Sequence, residues 1–181
     1  VAPASFTSIS DEAWAAIKPC LPPGAPGDES RQLLDHLGRC FFERPPDLRA
    51  EQRALKGILA SLRKAIRRVE RYNRQAAYLR IDLESQIPPI EAELARLKAC
   101  KTSKDRLYFA LLEVVESWGA RLAKGESDYV REDVREFFNA VLEALDFESL
   151  ADSTLRGVIR RYKKGRPRQL GFVTFAESVG F

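Results

Sequence analysis

The sequence predicts an all-α protein, built on a long antiparallel, coiled-coil-like helical hairpin with shorter helices packed at its ends and flexible terminal arms. Three observations predict it. Leu48, Leu55, Leu62, Val69, Ala76 and Leu83 recur every seventh residue. A second row, Ile58, Ala65, Tyr72 and Leu79, falls three residues behind, so the two rows take the a and d positions of a coiled-coil seam. Prolines gather where helices must stop, because proline lacks the amide donor and clashes with the preceding turn.

The elements follow in order. Ser10 caps a short amphipathic helix from Asp11, with Trp14 and Ile17 three apart on one face. That helix stops at Pro19, and Cys20 to Gly27 reads as a proline-rich linker, so residues 1–27 form an N-terminal arm. Asp28 to Phe42 is helical, with Leu33, Leu34, Leu37 and Phe41 in step, until Pro45 and Pro46 break it. From Asp47 the seam runs as one helix to residue 86, widened at e by Leu59 and Ile66 so that more than one neighbour can pack there. Ile87, Pro88 and Pro89 form the turn, and the second arm, 89–124, carries Ile90, Leu94, Leu97, Tyr108, Leu111, Val115, Trp118 and Leu122. Lys101 and Lys104 fall on its seam positions and mark 100–103 as the place for a kink or short break. The hairpin thus occupies 47–124, its two helices antiparallel because a short turn joins them. Gly125 ends the second arm, and Ser127 caps a helix with Val130, Val134, Phe137, Phe138, Val141 and Leu145 on a broad apolar face. A last helix over about 153–164 presents Leu155, Val158, Ile159 and Tyr162, which closes a helical domain at 28–164 and leaves 165–181 as a tail.

The chain has 181 residues and 45% hydrophobic content, which fits one globular domain. No apolar run approaches the roughly 18 residues of a membrane span, and residues 1–30 show no basic stretch leading into a hydrophobic one, so a non-secreted, cytoplasmic protein with no membrane partner is expected. Cys20, Cys40 and Cys100 are odd in number and widely spaced, which argues against a disulfide framework or a zinc site and for a reducing compartment.

The formal charge of +4 hides three blocks. Between Arg49 and Arg80 stand ten Lys and Arg against two acids, mostly opposite the seam. From Glu126 to Asp152 there are nine acids and two arginines, and from Arg156 to Arg168 seven basic residues and no acid. One reading is that the acidic helix pairs with the basic stripe inside the monomer, or that each is a solvated face. The functional reading is a phosphate-contacting surface. Arg63, Arg67, Arg71 and Arg74 step by three and four, and with Lys64 they line a ridge that tracks a polyanion backbone without reading sequence. Arg156, Arg160, Arg161, Lys163, Lys164, Arg166 and Arg168 supply a second set of nucleic-acid-binding candidates.

The two helices around 130–146 and 153–164, with their connection, have the outline of a helix-turn-helix unit. Lys164-Gly165-Arg166-Pro167-Arg168 resembles the core of an AT-hook, which implies an extended arm entering the minor groove of A·T-rich DNA. Residues 9–24, ISDEAWAAIKPCLPPG, resemble the opening segment of some bacterial insertion-sequence transposases. The helical sequence that follows offers no strand-borne aspartates to hold metal ions, so the resemblance implies a bacterial or mobile-element origin and no activity.

Catalytic signals are lacking. His36 is the single histidine, and its i, i+4 neighbour Cys40 has no further group to activate the thiol. No GxGxxG, Walker, GxSxG or HExxH pattern occurs. The expectation is a non-catalytic protein without metal or cofactor that binds nucleic acid backbone. The alternative is an interaction or assembly module, whose seam completes a bundle with an acidic protein or with a second copy of the chain.

Overall fold

Ile9 is the first core residue among the described residues, and two side chains of a later helix hold it. The computed structural model describes residues 8–43, 47–72, 77–122 and 130–165, without the side chains of residues 72 and 77. Helix α1 (Asp11–Ile17) runs into a 3-10 turn, Lys18–Cys20, and is followed by α2 (Gly27–Glu43). Arg31 donates to the Ile9 carbonyl at 2.8 Å, and the Ile9 amide donates to Asp35 at 2.6 Å. With its backbone satisfied in this way, Ile9 is buried, as are Trp14 and Ile17 of α1. The expected N-terminal arm is therefore part of the core over residues 8–20. Ser10 caps α1, accepting from the Ala13 amide at 3.1 Å. In the linker, Gly24 has φ +97°, and a Cβ there would lie 2.6 Å from the Trp118 carbonyl oxygen, so only glycine lets the chain seat on that carbonyl.

Helices α3 (Leu48–Tyr72), α4 (Ala77–Ser85) and α5 (Ile87–Ala99) form an antiparallel pair of arms that differs from the expected one. Glu70 pairs with Arg80, Arg63 with Glu91, and Gln52 with the Leu97 carbonyl, so numbers rise along α3 as they fall along α4 and α5. Helix α4 thus already runs antiparallel to α3, ahead of the turn expected at 87–89. Pro88 and Pro89 sit in the first turn of α5, where a missing amide costs nothing, and they mark a joint within the returning arm. The arms of 47–86 and 89–124 do not form.

The seam is also rotated. Leu59 and Ile66 are buried while Ile58 is 46% exposed and Leu79 42%. The line facing the partner follows Leu55, Leu59, Leu62, Ile66 and Val69, in steps of four and three, because α3 has one packing direction and the expected d row falls on its flank.

Cys100 is extended, ending α5, and α6 (Lys104–Ser117) starts after a break at 100–103. Helix α6 is the centre of the body and not an outer arm. Leu107, Tyr108, Phe109, Leu111, Leu112, Val114 and Val115 are all buried, a face wider than the stripe of a helix that packs on one neighbour, while Arg106, Glu113 and Glu116 keep its remaining side polar. Around it lie α1, α2, α7 (Glu132–Ala144) and α8 (Asp152–Gly165), with Phe137, Phe138, Val141, Leu155 and Tyr162 in the same core. Helix α8 packs chiefly on α5 and α6, so α7 and α8 do not make the expected helix-turn-helix pair. Gly165 is pressed onto α5, where a Cβ would stand 2.9 Å from that of Ala99. Among the described residues every regular element is helical, and no helix is long and apolar enough to cross a membrane.

Candidate nucleic-acid interface

Helix α3 begins at Asp47, whose carboxylate accepts from the Arg49 and Ala50 amides at 3.0 Å each. Those bonds, the Ala50 amide first, hold the Asp47 carboxyl below the usual carboxylate range. From that cap the apolar stripe turns toward α4 and α5 and the basic residues turn outward. Arg49, Arg53, Lys56, Arg63, Lys64, Arg67, Arg68 and Arg71 are all exposed.

Ion pairs decide how much of this charge is compensated. Glu51, one of the two acids on α3, faces Arg106 of α6 at 3.5 Å, and Glu70, the other, faces Arg80 of α4 at 3.4 Å. Arg63 reaches Glu91 of α5 at 2.6 Å, with both side chains about half exposed, so water screens that pair. The Arg67 guanidinium folds back onto the Arg63 carbonyl at 3.3 Å, which orders it along the ridge. Arg74 lies outside the described residues.

The acidic block does not run along this ridge. Helix α7 packs chiefly on α1 and the 3-10 turn, whereas α3 packs on α4 and α5. The two acids in the first turn of α7 pair locally, Asp133 with Arg131 at 2.8 Å and Glu132 with Arg135 at 3.2 Å. The Arg131 hydrogen bond holds the Asp133 carboxyl below its ordinary range.

The second set of candidates divides. Arg160, Lys163 and Lys164 are exposed on α8. Arg156 pairs with Asp152 one turn earlier at 2.9 Å. Arg161 turns inward and bonds Asp105, which is 2% exposed, at 2.7 Å, so its guanidinium serves the fold. Arg166 and Arg168, and with them most of the AT-hook-like run, lie outside the described residues. Helix α5 lies between the two sets, packing on α3 and on α8.

Asp105 went unnoticed among the sequence candidates. Its carboxylate also accepts from the Lys101 and Thr102 amides, at 2.5 and 3.1 Å, and so fastens the α5–α6 joint. The signal for it was present as Thr102-x-x-Asp105, half of a capping box. His36 Nε2 and Cys40 Sγ stand 3.5 Å apart on the exposed side of α2. Among the described residues no three His, Cys, Asp or Glu side chains are grouped to hold a metal ion. Comparison with family models, curated proteins and solved structures finds no match to this chain.

Proposed function

We propose that this is a non-catalytic helical binding protein that engages nucleic acid backbone along the outer face of α3. The observation that carries the reading is the row Arg63, Lys64, Arg67 and Arg71, exposed on a helix whose own two acids are occupied by arginines of α4 and α6. Solvent-exposed cations along one helix face attract phosphates and displace condensed counterions, with no demand on base sequence. Arg160, Lys163 and Lys164 form a second, shorter cationic row on α8 and extend the contact to a longer strand.

The test is a titration onto labelled duplex and single-stranded DNA of one length, from about 50 to 300 mM salt. The logarithm of the association constant is expected to fall linearly with the logarithm of salt, and to depend little on sequence. An absence of binding to either form at the lowest salt overturns the reading.

A further inference from the structure

An open groove of about 550 Å³ runs between α3 and α5. Its floor is apolar, with the buried Leu59 and Leu94 flanked by Ala60 and Ala95. The two alanines make the groove, because a larger side chain at either position would fill it, and small residues on facing helices let a third helix approach closely. Lys56 stands on the α3 bank and Lys98 on the α5 bank, both exposed and neither in an ion pair among the described residues. Arg63 and Glu91 also line the groove, and they satisfy each other across it.

An apolar floor between two unpaired cations has a complement of definite chemistry. We propose that this groove docks an amphipathic helix of an acidic protein partner. Its apolar stripe lies on Leu59, Ala60, Leu94 and Ala95, and carboxylates on its two flanks reach Lys56 and Lys98. The added helix completes a three-helix bundle with α3 and α5, the helix-in-groove mode of recognition. A phosphate backbone gains nothing from the floor, so the groove has its own ligand chemistry although it shares Arg63 with the outer ridge. The acidic helix of a second copy is a poor occupant. Its exposed acids, Glu132, Glu136 and Glu143, have no large exposed hydrophobic residue beside them on α7 to set into the floor.

The inference does not rest on the polyanion reading, and its test separates the two. Three labelled, end-blocked peptides of about 18 residues, long enough to hold helix, are titrated onto the full chain and followed by anisotropy. One carries leucines at i, i+4, i+7 and i+11 with glutamates on both flanks. The second has lysine for every glutamate, and the third is a scramble of the first. The acidic peptide is expected to bind at least tenfold more tightly than either control. The double variant Lys56→Glu, Lys98→Glu is expected to reverse the preference between acidic and basic peptides. Ala60→Leu fills the groove at an exposed position with a good helix former, so the fold is kept. It is expected to weaken the acidic peptide at least tenfold and leave DNA binding unchanged. Equal binding of the acidic and basic peptides, no binding at about 1 mM, or indifference to Ala60→Leu overturns the proposal. A concentration-dependent dimer in sedimentation that Ala60→Leu abolishes also overturns it, by assigning the groove to a second copy.

Discussion

Arg161 of α8 lies 2.7 Å from Asp105 at the start of α6, and the same carboxylate accepts the amides of Lys101 and Thr102. One buried acid thereby fixes the α5–α6 joint and ties the last helix to it. Removing the carboxylate strands two amides and a guanidinium, so Asp105→Ala is expected to cost about 3 kcal/mol in urea unfolding, since breaking a largely buried pair leaves its partners uncompensated. Arg161→Ala is expected to cost about as much. Equal stability of either variant and the parent would remove this pair from the account.

The ridge makes a prediction of a different kind. If α3 is the proposed phosphate-contacting face, Lys64→Ala and Arg71→Ala are each expected to make the salt slope shallower by about 1 and weaken binding alike on all sequences. Stability should shift by no more than about 0.5 kcal/mol, because both positions are exposed. Slopes that match the parent would place the contact elsewhere on the molecule.

How much of this was legible follows from which forces are local. Ser10 as a cap, the break at 100–103, and the buried faces of Val134, Phe137, Phe138 and Val141 or of Leu155, Val158 and Ile159 all follow from caps and from 3.6-residue periodicity. The direction of the chain after Tyr72 was not legible. Residues 71–76 contain neither proline nor glycine, while Pro88-Pro89 is the stronger punctuation. Proline at a helix start ends one helix and opens the next, and tertiary packing decides whether the chain turns back there. The stretch from Leu107 to Val115 shows the same limit. A seam reading selects Tyr108, Leu111 and Val115, and the remaining apolar side chains, Leu107, Phe109, Leu112 and Val114, reveal a central helix once the full width of the buried face is counted. For the basic residues, charge spacing anticipated which of them stand exposed on α3, yet Arg161 looked like its neighbours, because burial of a partner 56 residues away leaves no trace in spacing.

The C-terminal end of α7 offers a stabilising change. Asp146 has φ 60°, with the Phe147 amide bonded to the Leu142 carbonyl at 2.8 Å and the Asp146 amide to the Glu143 carbonyl at 3.0 Å, the Schellman pattern. A left-handed aspartate is strained by about 1 kcal/mol or more. Asp146→Gly relieves that strain and adds chain entropy to the unfolded state, for a net gain of about 0.5 kcal/mol. A rise of about 1 to 2 °C in Tm is expected in calorimetry. A fall would show that the aspartate side chain contributes more than the strain costs.

Burial pushes the Cys100 thiol up from 9.0 to about 11, with Asp105 adding to the effect. Between pH 9 and 11 the unfolded chain releases this proton while the folded one keeps it, so this contribution to stability is complete below pH 9 and is lost as the pH rises through 11. At the acid end the sign is opposite. Asp133, held down by Arg131, contributes stability above its ordinary value of 3.8 and loses it as the pH falls through its lowered folded value. Unfolding at graded pH should show both flanks, and the alkaline one should shrink in Cys100→Ala. At pH 8, iodoacetamide is expected to modify the exposed Cys40 well before Cys100, read by peptide mass.

The hairpin and the body do not share one interior. Leu59, Ile66, Leu94 and Leu97 are buried along the seam, while the contiguous core is drawn from α1, α2, α6, α7 and α8 and the segments flanking them. Two interiors joined through α5 and α8 are expected to unfold as two units of unequal stability. A sub-global opening that parts the arms of the hairpin and leaves the body intact is expected at a free energy below that of global unfolding. A binding event that spans α3 and α5 would close that gap, so what the hairpin takes up would be felt first as slower exchange of its own backbone amides.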